Sequence, residues 1–105
     1  MRSCELSGAY TQMIIIREII AAKLQVKHGV CRREVEQCFD NREKSVLREE
    51  REEHLTNPPT YWFIAKTNKD RELKVVYVQK GNQIFIKTCY TPNEDELAIY
   101  RDKAI

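Results

Sequence analysis

Between Thr60 and Tyr90 the chain runs through three apolar, β-branched and aromatic segments separated by two short polar turns, and this order constrains the fold more than any other feature. Tyr61-Trp62-Phe63-Ile64-Ala65 is rich in residues that suit a pleated backbone and reads as an inner strand. Asn68-Lys69-Asp70-Arg71 turns the chain, after which Leu73, Val75 and Tyr77 alternate with Lys74, Val76 and Val78 on the next strand. Gly81-Asn82 is a tight turn into Gln83 to Tyr90. Strands joined by connections this short pair antiparallel, so the segment is expected to be a meander.

Ahead of it, Ser45 to His54 is highly charged and reads as an outer strand, because charge on an edge discourages pairing with another chain. Asn57-Pro58-Pro59-Thr60 then makes a stiff turn: two prolines fix φ, and Asn57 is held to extended conformations.

The first half has a different period. Met13 to Ile16 is a β-branched run that reads as a short strand or as the apolar start of a helix. From Arg17, Ile16, Ile20 and Leu24 recur at helical spacing, with Ile19, Ala22 and Val26 expected to widen the stripe. Gly29 ends that helix, as a residue able to take positive φ, and Lys27 and His28 occupy its last turn, where cations are favoured. Cys31 to Glu34 has the spacing of a capping box flanked by Val30 and Val35, so a second, shorter helix follows and closes at Asp40-Asn41-Arg42. At the far end, Thr91-Pro92-Asn93-Glu94 supplies a threonine N-cap, a proline at the first helical position and a reciprocal glutamate, predicting a final helix over 92–103.

A possible first strand, two helices, three or four antiparallel strands and a last helix make an α+β class, with one sheet face covered by helices. A chain of 105 residues holds one core, so residues 12–105 are read as a single domain preceded by a loose lead-in over 1–11. The apolar run at Met13 falls far short of the roughly 20 residues that span a bilayer, and Met1 to Tyr10 lacks the apolar region of a secretory signal. No membrane association is expected, and the expected compartment is the cytoplasm. In that reducing setting Cys4, Cys31, Cys38 and Cys89, which include no C-x-x-C pair, read as structural thiols.

Three polar groupings stand out. Lys23, Lys27, His28, Arg32 and Arg33 concentrate positive charge along the first helix and its junction with the second, where they could meet nucleic-acid phosphates or simply form a solvated face. His54 stands among Glu49, Glu50, Glu52 and Glu53, a setting in which an imidazole can move protons while a carboxylate holds its tautomer; a surface histidine is the plainer alternative. Lys74, Lys87 and Tyr90, followed by Thr91, Glu94, Glu96, Tyr100 and Arg101, offer the cations, hydroxyls and carboxylates that metal-independent RNA cleavage requires, although such residues decorate many sheets. With two histidines and carboxylates in a run rather than at ligand spacing, no metal site is expected. Three isolated glycines allow no glycine-rich phosphate loop, and no cofactor is expected.

Lys27-His28-Gly29-Val30 between two helices, the second ending Val35-Glu36-Gln37-Cys38-Phe39, resembles the opening of BrnT-type toxins. Ile84 to Tyr90, with Glu94, Glu96 and Tyr100 behind, is similar to that family's last strand and final helix, so the likeness covers roughly residues 20–101. Where the family commonly carries Ser-Ala-Arg, this chain has Thr88-Cys89-Tyr90. The resemblance implies a RelE-like α+β fold, a ribonuclease toxin acting on RNA, and an antitoxin or other protein partner. Arg51-Glu52-Glu53-His54, Thr56, Pro58-Pro59-Thr60, Trp62 to Ala65, Thr67 and Leu73-Lys74-Val75-Val76 also resemble short bacterial proteins labelled ADP-ribosyl-(dinitrogen reductase) hydrolase.

Together these readings make His54, Lys74, Lys87 and Tyr90 the candidate reacting groups of a metal-independent endoribonuclease, with Lys23, Lys27, His28, Arg32 and Arg33 as candidate nucleic-acid contacts. A non-catalytic protein- or RNA-binding module of the same fold, and an ADP-ribosyl hydrolase, are the alternatives.

Overall fold

A computed structural model describes residues 13–50 and 57–105; the lead-in over 1–11 and the residues around His54 lie outside them. The described elements are β1 (Met13–Ile15), α1 (Glu18–Lys23) running into a π-helical turn (Leu24–His28), α2 (Arg32–Asn41), β2 (Leu47–Arg48), β3 (Thr60–Lys66), β4 (Glu72–Lys80), β5 (Gln83–Tyr90) and α3 (Glu94–Lys103).

The class is α+β. The described sheet has five strands in the order β1-β5-β4-β3-β2, and it is mixed. β3, β4 and β5 form the expected antiparallel meander, and the charged β2 lies outside β3, with Leu47 opposite Trp62. β1 departs from the expectation of three or four antiparallel strands. It pairs parallel to β5, Ile14 opposite Ile84; two helices and three strands separate the partners along the chain, so no short turn sets their relative direction.

Helices cover both sheet faces rather than one. Successive strand residues point to opposite sides. Phe63 and Tyr77 meet Phe39 of α2, with ring centroids 4.9 and 5.5 Å apart. Trp62, next along β3, meets Tyr100 of α3 at 5.7 Å. The unbroken burial of Trp62, Phe63, Ile64 and Ala65 follows: a strand sandwiched on both faces has no polar side, and its sequence shows none.

The first helix buries less than its sequence suggests. Leu24 is buried and Ile20 half-buried, but Ile19 is 71% exposed and Val26 84% exposed, so the stripe is narrow. This helix rests mainly on β5, along one line, and the π-helical turn rotates the residues that follow Lys23 out of register with those before it. Gly29 ends the helix at φ 61°, ψ 37°, and Val30 N–H donates to Leu24 O at 3.0 Å, closing the last turn. The second helix begins as expected: Cys31 N–H donates to Glu34 Oε1 at 3.2 Å, and Val30 and Val35 are buried.

The last helix starts later than Thr91 would set it. Asn93 is its N-cap: its side chain accepts from Glu96 N–H at 2.8 Å, and Glu96 Oε1 accepts from Asn93 N–H at 3.0 Å. Asparagine caps at least as well as threonine, and Pro92, which is buried, precedes the cap instead of opening the helix. At its other end Tyr100 Oη donates to Ser45 O at 2.9 Å and Ser45 N–H donates to Ile105 O at 3.0 Å, tying α3 to the segment before β2. Cys38 and Cys89 lie in the core, where burial pushes both thiols up to about 12, while Cys31 is exposed.

Candidate functional site

The cap that starts α3 also creates a concentrated polar cluster. One oxygen of Glu96 closes the capping box, which leaves Oε2 aimed at the sheet. There it accepts from Lys74 Nζ at 2.7 Å and from Tyr90 Oη at 2.6 Å. Lys74 and Tyr90 are brought together by strand register: they are directly opposed on β4 and β5, on the face that α3 covers. Lys74 is only 5% exposed, and its ammonium stands 4.4 Å from the Trp62 ring centroid and 5.7 Å from that of Tyr90.

A buried cation is tolerated because it has a carboxylate, a hydrogen bond and two aromatic faces to replace water. Burial works to raise the Glu96 carboxyl, but the hydrogen bonds from Lys74 and Tyr90, the capping bond to Asn93 and the lysine charge outweigh it and hold the group below the usual carboxylate range. Glu96 is therefore an anion held between two donors.

His28 adds an imidazole at the margin. Half-buried, its ring meets Tyr90 edge-on, with centroids 5.7 Å apart. Three features place it: the π-helical turn, the left-handed Gly29, and Arg71, whose guanidinium donates to His28 O at 2.6 Å and Gly29 O at 2.8 Å while pairing with Glu34 at 3.2 Å. A cleft of about 480 Å³ opens beside Lys74 and Glu96, walled by Trp62, Ile99, Glu49 and Lys103.

The residues singled out in the sequence divide into three groups. Lys74 and Tyr90 converge, with Glu96 between them. Lys87 does not join them: it is the extra residue of a β-bulge, since Val76 pairs with Thr88 and Tyr77 with Ile86, and its Nζ donates to Thr60 Oγ1 at 3.3 Å. Thr60 is opposite Val78, four residues along β4 from Lys74, roughly 13 Å at the rise of a strand. His54 lies outside the described residues.

The basic set also separates. Lys23, Lys27 and Arg33 are exposed, His28 turns toward Tyr90, and Arg32 is engaged by Ile14 O at 2.6 Å and Glu36 at 2.8 Å. Arg71 and the bonding role of Glu96 were not legible in the sequence, because each depends on contacts across 22 to 43 residues. Trp62 reads there as an ordinary sheet residue; only its place under Lys74 distinguishes it.

Among the described residues no group of three or more His, Cys, Asp or Glu side chains could hold a metal ion, and no helix is long and apolar enough to cross a membrane. No family model matches this chain, and no curated protein matches it.

Proposed function

We propose that this chain is a toxin-like protein of RelE/BrnT-type architecture that cuts RNA without a metal, at the end of the sheet where His28, Tyr90, Glu96 and Lys74 meet. The observation that supports this reading is the shared carboxylate: Glu96 Oε2 takes hydrogen bonds from Tyr90 at 2.6 Å and Lys74 at 2.7 Å, with an imidazole at the edge of the tyrosine ring. In this reading the His28 imidazole takes the proton of the ribose 2′-hydroxyl, whose oxygen attacks phosphorus. The bond to the 5′-oxygen breaks, and that oxygen takes its proton from the Tyr90 hydroxyl, while the Lys74 ammonium, bound to the same Glu96 oxygen as Tyr90, offsets the phenolate charge. The exposed Lys23, Lys27 and Arg33 hold the backbone of the strand. An antitoxin or another protein is the partner, and the cytoplasm the compartment, that this reading entails.

One observation favours a second reading, a binding module without catalysis. Lys74 is almost fully covered and already satisfied by Glu96, so the same cluster can act purely as a clamp between α3 and the sheet. Incubating the purified protein with RNA in EDTA separates the two. A ribonuclease cleaves under these conditions and loses cleavage in Tyr90→Phe and His28→Ala; a binding module retards RNA or a protein partner on a gel and leaves RNA intact. Absence of cleavage by the unaltered protein would overturn the enzymatic reading.

A further inference from the structure

A second cleft, of about 350 Å³, lies toward the other end of the same sheet, walled by Ile15, Ile20, Val78 and Phe85. Three cations line it, Arg17, Lys80 and Lys87, and no described Asp or Glu does. Arg17 and Lys80 both approach the Phe85 ring, at 5.8 and 5.6 Å from its centroid, while Lys87 donates to the neutral Thr60 hydroxyl. None of the three forms an ion pair among the described residues.

At these distances a cation and a ring attract each other weakly, so the three charges are available to a stronger acceptor. A half-buried aromatic floor with aliphatic walls and a cationic rim is complementary to an apolar side chain flanked by carboxylates. The cations gather around one ring rather than tracking a line, as successive phosphates of a nucleic acid would require. The bulge at Lys87 supplies the third charge: by adding one residue to β5 it lets this side chain reach across β4 to Thr60 on β3.

We infer that the Phe85 cleft, with Arg17, Lys80 and Lys87 on its rim, is a docking site for an acidic, apolar-anchored peptide segment of a protein partner. The site is separate from the Glu96 cluster and does not depend on RNA cleavage. Fluorescence anisotropy with a labelled eight-residue peptide of alternating glutamate and leucine tests it, with the full chain and its variants checked for folding by circular dichroism. The peptide binds the unaltered protein, more weakly as salt rises, and binding drops about tenfold in Lys80→Glu and in Phe85→Ala but not in Lys23→Glu, which lies outside the cleft. Lack of binding by the unaltered protein, indifference to both cleft substitutions, or tighter binding of a uridine oligomer through these same residues would overturn the inference.

Discussion

At the scale of single residues, Lys74 illustrates how a charge becomes part of a core. Its neighbours on β4, Leu73 and Val75, are fully buried toward α2, and Lys74 is covered on the other side by Trp62, Tyr90 and Glu96. Removing one member of such a pair strands the other, which costs more than the pair contributes. Lys74→Met is therefore expected to destabilise the fold by about 3 kcal/mol in urea unfolding, and Lys74→Met with Glu96→Leu to recover much of that loss. Glu96 carries a pH signature of known sign. Its folded carboxyl lies below the ordinary range, so its contribution is complete above that range and disappears as pH falls through the lower folded value. The stability difference between the unaltered protein and Glu96→Gln should hold constant from neutral pH down to the ordinary carboxylate range and shrink only below it; a difference that grows there would contradict the assignment.

At the scale of elements, the sequence was most legible where one short signal decides one feature. The Gly81-Asn82 turn, the alternation of β4 and the left-handed Gly29 are local, and each appears where its chemistry demands. The expected Thr91 cap was overturned for a local reason: Asn93, with Glu96 three residues on, offers the same capping box two residues later. Packing decides between them, since the Asn93 register places Glu96 over Lys74 and Tyr90. Thermal unfolding of Asn93→Ala should show a loss of about 1 kcal/mol, while Thr91→Ala, which removes no helix cap, should be close to neutral.

The whole molecule was legible in class and in its antiparallel meander, but not in the placing of its first strand. Runs of alternating and helical period fix α+β, but nothing in Met13 to Ile15 says that it pairs parallel with the last strand, which is a contact across the entire chain. Helices on both faces could have been inferred from the uninterrupted apolar run Trp62 to Ala65, which leaves no side for water. The candidate site was half legible. Lys74 and Tyr90 stand out by type, but their meeting depends on register, and the displacement of Lys87 depends on a bulge that no residue type announces. The same large-scale arrangement gives the Glu96 cluster and the Phe85 cleft separate linings, so the proposed reaction and the proposed docking can be tested by separate substitutions. The most direct measurement is the rate and end chemistry of cleavage of a short RNA in EDTA by the unaltered protein and by Tyr90→Phe. The cluster predicts products with 2′,3′-cyclic phosphate and 5′-hydroxyl ends, formed on the order of 100-fold more slowly by Tyr90→Phe; intact RNA, or equal rates from both proteins, would contradict a reacting role for Tyr90.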